Sequence, residues 1–219
     1  ATLTDAQVQA VAQSPRSLWD NTYSETSWIR NTLGGPIALL PRLQAKIAAS
    51  NPGMKLGITE YNNGGCQNIA GTLAQADNLG IFGVQGVYLA SYWPLGSNES
   101  YCLGAFRAFR GFDGANASFG DVSVQAASSD VQSVAAYAST DSAHAGRTIF
   151  VAINRSTTTK QTLFTGLAVS GTAHLDRISA SSAASQSPVT PVSAGTQLAS
   201  GTSFSVSLPA LSVTTIDVY

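Results

Sequence analysis

The chain has 219 residues, 44% of them apolar and 11% charged, with eleven basic residues against twelve acidic ones. That length suffices for one large or two small domains, and the balanced charge, with no run of one sign, argues against a nucleic-acid face or a polybasic membrane contact. No stretch reaches the ~20 apolar residues of a membrane span, and the opening Ala-Thr-Leu-Thr-Asp lacks the basic and apolar regions of a signal peptide.

In chain order, Thr4 to Gln7 has the form of a capping box, and Val8, Val11 and Ala12 follow at helical spacing until Ser14-Pro15. Residues 16–35 carry Trp19, Tyr23 and Trp28 without a period, as in a loop that either packs on a barrel or lines a cleft. Leu40, Leu43 and Ile47 predict a helix, with Pro41 tolerable near its first turn and Asn51-Pro52-Gly53 as its stop. The apolar run Leu56 to Ile58, ahead of Gly64-Gly65, predicts a buried strand over 55–60 with Glu60 where it stops. Ile69, Leu73, Ala76 and Leu79 predict a helix ending at Gly80, Gly86 to Trp93 a second buried strand, and Asn98 a cap on a helix through Leu103, Phe106 and Phe109. This rhythm is that of a parallel barrel or a doubly wound sheet. No Gly-x-Gly-x-x-Gly follows either strand, which disfavours a nucleotide-binding fold.

After Gly114 the pattern changes to short alternating or β-branched runs at 121–127, 131–138, 147–154, 160–167, 173–179, 196–198, 203–208 and 212–218, which predict an antiparallel β-sandwich. A Ser- and Ala-rich loop is expected over 180–195. Two units are thus expected, 1–114 and 115–219.

Glu60 is the candidate for chemistry, because catalytic groups of barrel enzymes sit at the carboxyl ends of parallel strands; the alternative is a structural ion pair. Cys66 and Cys102 follow the two predicted strands, and they form either a disulfide in an oxidising compartment or two small buried thiols. With His144 and His174 far along the chain, no metal or other cofactor is expected.

The string Ile58-Thr-Glu-Tyr-Asn-Asn-Gly-Gly65, then Ile69 to Gly83, then Gly86-Val-Tyr-Leu-Ala-Ser-Tyr-Trp93, resembles glycoside hydrolase family 44, the endo-β-1,4-glucanases and xyloglucanases. The resemblance extends from Pro15-Arg-Ser-Leu-Trp-Asp20 to Phe119-Gly-Asp121. It implies the carboxyl-terminal part of a TIM-like (β/α)8 barrel followed by the sandwich, and hydrolysis of β-1,4-glucan with retention. Glu60 matches the nucleophile at the end of the seventh barrel strand, and Trp93 the tryptophan that ends the eighth. Trp28 and Trp19 fall in a substrate-reaching loop, and Tyr61, Asn62 and Asn63 are expected to meet the sugar.

The family's proton donor lies upstream of everything here, and Glu99 is read as a helix-start carboxylate instead. A secreted enzyme piece is therefore expected, inactive without an upstream companion chain that carries the acid. The alternative is a non-catalytic glucan-binding module.

Overall fold

The computed structural model describes residues 3–182 and 187–219, apart from the side chain of Leu167. Residues 183–186 of the expected 180–195 loop lie outside the described residues. Helix α1 (Asp5–Gln13) opens on the capping box: Thr4 accepts from the Gln7 amide and the Gln7 side chain accepts from the Thr4 amide. Ser14-Pro15 ends the α-helix but not the helical path, which tightens into a 3-10 turn over Ser14–Leu18. Helices α2 (Trp28–Leu33) and α3 (Leu39–Ser50) follow.

Strand β1 (Gly57–Tyr61), helix α4 (Ile69–Val84) and strand β2 (Leu89–Tyr92) form a β-α-β unit whose two strands pair in parallel. Helix α5 (Ser100–Arg107) closes this half. Both strands were expected to be buried, yet both alternate between exposed and half-buried residues. The reason is layering. Helix α4 covers one face of the pair, where Ile58, Tyr61 and Ala90 pack with Ile81 and Phe82, while Glu60, Leu89 and Trp93 stay exposed.

Six further strands follow: β3 (Val122–Val124), β4 (Val134–Thr140), β5 (Thr148–Asn154), β6 (Lys160–Ser179), β7 (Val192–Leu208) and β8 (Ser212–Val218). Where two sheets were expected, these strands are hydrogen-bonded into one antiparallel sheet in the order β3-β4-β5-β8-β6-β7. The runs expected at 160–167 and 173–179, and at 196–198 and 203–208, are continuous strands, and β7 begins within the expected loop. Register shifts after Thr165 and His174 bend the β6–β7 hairpin, and Gly166 and Gly201, both at positive φ, supply backbone that other residues rarely adopt.

The hairpin thereby curls over the sheet. Phe164 of β6 and Phe204 of β7 pack on Phe150 of β5, although β8 lies between β5 and β6. Strands β5 and β8 are covered on both faces and every residue in them is buried, which is why they read as near-continuous apolar and β-branched runs.

The two halves share one core. Ile69, Leu73 and Ala76 of α4 and Tyr101 and Ala105 of α5 pack on Ala135, Val151, Ile153, Ile178 and Val213 of the sheet. Helix α4 continues past Gly80, where the sequence suggested a stop. A Cβ there would lie 2.3 Å from two atoms of the Tyr137 ring, so this glycine marks a helix–sheet contact rather than an end. Nearby, the Asp77 carboxylate pairs with Arg155 at 2.6 Å, with side chains 0% and 1% exposed. Asp77 also accepts from the Tyr137 hydroxyl at 2.7 Å.

Removing one partner of a buried pair leaves an uncompensated charge, at a cost of about 3–5 kcal/mol. Asp77→Asn is accordingly expected to lower stability by that amount, whereas Asp77→Leu combined with Arg155→Met recovers most of it. Urea unfolding followed by circular dichroism measures both.

Candidate active site

The site is built at the carboxyl ends of β1 and β2. Pairing runs Gly57 to Leu89, Ile58 to Ala90 and Tyr61 to Tyr92, so three steps on β1 match two on β2. The extra residue is a bulge. It allows Ile58 and Tyr61 both to face α4 and leaves Glu60 turned away from that layer. Glu60 is exposed, and no hydrogen bond or ion pair engages its carboxylate among the described residues, so the structural ion pair weighed for it is not formed. On β2, alternation puts Leu89, Ser91 and Trp93 on the face opposite Ala90 and Tyr92. Trp93 is 54% exposed there.

The other candidates divide. Trp28, at the start of α2, is 75% exposed, on a helix with no buried residue. Trp19, expected to reach substrate, instead packs with Leu18 against Leu40, Ile81 and Phe82. Tyr61 also turns inward: its hydroxyl accepts from Gln75 at 2.7 Å, and its ring meets Phe82 and Tyr92 edge-on at 5.0 and 5.8 Å. Burial raises the Tyr61 pKa above its ordinary value of 10.0, the Gln75 bond opposing it in part.

Asn62 and Asn63 were expected to meet sugar hydroxyls, but their amides serve the fold. Asn62 donates to the Trp93 carbonyl at 2.7 Å and to the Tyr92 hydroxyl at 3.0 Å, and it accepts from the Gly64 amide at 2.6 Å. Asn63 donates to Ser14 at 2.6 Å and accepts from Asn78 of α4.

Two residues emerge that the sequence reading left aside or misjudged. Tyr92 immediately precedes Trp93, and its hydroxyl donates to Glu99. Glu99 does stand at the start of a helix, as expected, but it is enclosed. It occupies the N-cap position of α5 without capping it, is buried, and accepts the backbone amides of Leu95 and Gly96 at 3.2 and 2.9 Å. The Asn98 side chain accepts the Ser100 amide, one position short of the expected cap role. A strand-end tyrosine with a glutamate seven residues on was the only sequence signal for this pair.

Cys66 and Cys102 form a disulfide with Cα atoms 4.9 Å apart, joining the loop after β1 to α5. Together with Glu99 their ligand atoms lie within 4.8 Å of one another, but bonded sulfurs are not thiolates and offer a cation no ordinary ligand set. Gly71 permits the close approach, since a Cβ there would meet Cys102 Sγ at 2.8 Å and the Gly65 carbonyl oxygen at 2.8 Å.

No family model matches the sequence. Endoglucanase A of Paenibacillus lautus is 45% identical over 131 residues, 60% of this chain. Solved structures match across almost the whole chain. A family 44 endoglucanase from Clostridium acetobutylium superposes with a TM-score of 0.87 over 96% of the chain at 32% identity. A Paenibacillus polymyxa family 44 xyloglucanase, solved with xyloglucan, does so with a TM-score of 0.87 over 98% at 32% identity.

The chain belongs to glycoside hydrolase family 44.

Within that family it is short. It spans 41% and 42% of the two solved chains and 19% of the Paenibacillus lautus protein. The candidate site in this chain has a floor of strand ends, two open indoles and, at Glu60, a carboxylate with no partner among the described residues. Its second glutamate, Glu25, accepts from the Ser17 hydroxyl at 2.9 Å, and the third, Glu99, is enclosed.

The tryptophans give a direct check on this placement. Acrylamide quenching of the chain is expected to reach Trp28 and Trp93 freely and Trp19 poorly. Trp19→Phe should remove the shielded, blue-shifted component of the emission. Loss of a freely quenched component in that variant would contradict the packing.

Proposed function

We propose that this family 44 segment supplies the nucleophile and part of the cleft of a retaining endo-β-1,4-glucanase. The observation that carries the reading is Glu60, an exposed carboxylate with no partner among the described residues, at the carboxyl end of β1, where barrel enzymes hold their catalytic groups. A retaining glycosidase sets two carboxyl groups ~5–5.5 Å apart, one attacking the anomeric carbon and the other protonating the departing oxygen. Glu60 attacks and forms the glycosyl-enzyme bond. Water, deprotonated by the second group, then releases the sugar and restores both carboxyls. The family resemblance puts that second group upstream of this segment, and within the segment Glu25 and Glu99 are engaged in other hydrogen bonds.

A glucan presents flat C–H faces, and the exposed rings of Trp93 and Trp28 suit them. The xyloglucan bound to the Paenibacillus polymyxa relative supports a glucan as the substrate class. In this reading β1 and β2 are the last two strands of a barrel, and the curled sheet takes the place of the expected sandwich. A secreted enzyme agrees with the disulfide.

In the enzyme that carries this segment, Glu60→Gln keeps the shape of the side chain and removes its nucleophilicity. The kcat on an aryl cellobioside is expected to fall by more than about 10³-fold, while a glucan oligosaccharide still binds within a few-fold of the parent. Turnover close to the parent would overturn the assignment. A bound but never cleaved glucan in the parent itself would favour a non-catalytic binding module.

The open face of the β1–β2 pair, with Leu89 and Trp93 exposed on it, supports a companion segment that brings the remaining strands. Denaturing electrophoresis of the folded material is expected to show a second, larger polypeptide. A monodisperse folded species of 22.6 kDa alone would exclude it.

A further inference from the structure

We propose that Tyr92 and Glu99 are positioning residues, which through Asn62 fix the end of the Glu60 strand against Trp93; the role rests on the glycosidase reading above. The backbone ladder between β1 and β2 ends with the Trp93 amide on the Tyr61 carbonyl at 3.0 Å. Beyond it, β1 enters a loop with Gly64 and Gly65 both at positive φ, and β2 enters the turn at Pro94. Neither segment has a strand partner, so side chains continue the tie.

Asn62 reaches across with one amide nitrogen, donating to the Trp93 carbonyl at 2.7 Å and to the Tyr92 hydroxyl at 3.0 Å. Its carbonyl oxygen holds the Gly64 amide at 2.6 Å. Tyr92 in turn donates a hydrogen bond to Glu99, whose other oxygen gathers the Leu95 and Gly96 amides. One buried carboxylate thus fixes the turn after Trp93 and, through a single hydroxyl, the loop after Glu60. The disulfide closes the cluster from the side, with Cys66 Sγ 3.3 Å from the Tyr92 oxygen.

The order of donors and acceptors from Asn62 through Tyr92 to Glu99 runs in one direction. Asn62 donates to Tyr92, and Tyr92 donates to Glu99, which as a carboxylate only accepts. Burial first, and then the hydrogen bond and charge of Glu99, push the Tyr92 pKa far above its ordinary 10.0, so the hydroxyl stays a donor at any working pH. None of the three groups needs to touch substrate. Their effect is on the separation and angle between Glu60 and Trp93, where a misplacement of ~1 Å can cost about 10²-fold in rate.

Tyr92→Phe tests this in the intact enzyme that carries the segment. It retains the ring that meets Tyr61 at 5.8 Å and Phe106 at 6.0 Å and removes only the hydroxyl. The kcat on an aryl cellobioside is expected to fall tenfold or more, with KM within about threefold and little change in Tm. Asn62→Ala should do the same, and the double variant should be no slower than the worse single one, since both break one tie. A purely structural role predicts instead a fall in Tm with kcat intact.

A folded Tyr92→Phe enzyme with kcat within twofold of the parent would overturn the inference, as would fully additive effects in the double variant. Should Tyr92→Phe fail to fold, Glu99→Gln decides in its place, because an amide has a single acceptor oxygen and one side of the tie, either Tyr92 or the Leu95 and Gly96 amides, then faces an N–H donor. Parent-like kcat there is equally fatal, and a tenfold fall at unchanged KM sustains the inference. If Glu60→Gln is itself active, the glycosidase reading fails. If Glu60→Gln is dead and Tyr92→Phe is fully active, only the positioning role fails.

Discussion

The arrangement depends on where α4 sits, and that is set by the buried contact of Asp77 with Arg155 and Tyr137. An ion pair removed from water gains little net stability, because desolvation offsets most of the attraction. Its geometric demand is strict, however: the Arg155 guanidinium, just past the end of β5, and the Tyr137 phenol of β4 must converge on one carboxylate. Gly80, one turn later, lets the Tyr137 ring close on the helix. On its other side α4 carries the β1–β2 pair, and Gln75 and Asn78 reach Tyr61 and Asn63. The strand ends that hold Glu60 and Trp93 are thereby placed relative to the sheet by polar contacts at defined positions, over an apolar core that by itself would allow some sliding.

Much of this fold was legible in the sequence because local chemistry and final environment agree. The Thr4 capping box, α3 with its early Pro41, and the runs that became β5 and β8 all behave as their patterns predict. What was hidden depends on neighbours. Gly80 looks like a stop until Tyr137 is seen against it. The short apolar runs of β1 and β2 look buried, although only one of their faces is covered. Two sheets and one curled sheet share a strand pattern, and the difference lies at glycines such as Gly166 and Gly201, where the hairpin bends instead of ending.

The candidate site divides along the same line. The strand-end position of Glu60 was readable from the apolar run before it and the glycine pair after it, and that of Trp93 from the end of the next strand; the structure adds that both are exposed. Trp19, Tyr61, Asn62 and Asn63 are residue types that suit a sugar or a protein interior equally, and here the interior claims their packing or hydrogen bonds. Glu99 shows the reverse error. A glutamate ahead of a helix is ordinarily a solvated dipole partner, and nothing in the sequence shows that Tyr92 and two backbone amides enclose it.

The Cys66–Cys102 bond spans 36 positions and turns α4, β2 and the turn that follows into a covalent ring. Tension applied along the main chain passes from the loop after β1 straight into α5 through two sulfur atoms. It bypasses every residue between them, Tyr92, Trp93 and Glu99 included. The half of the candidate site carried by β2 thus lies off the covalent load path and feels a pull only through its hydrogen bonds to β1, while the half carried by Glu60 lies on that path. Under the same pull, the two sides of the candidate site would therefore respond differently.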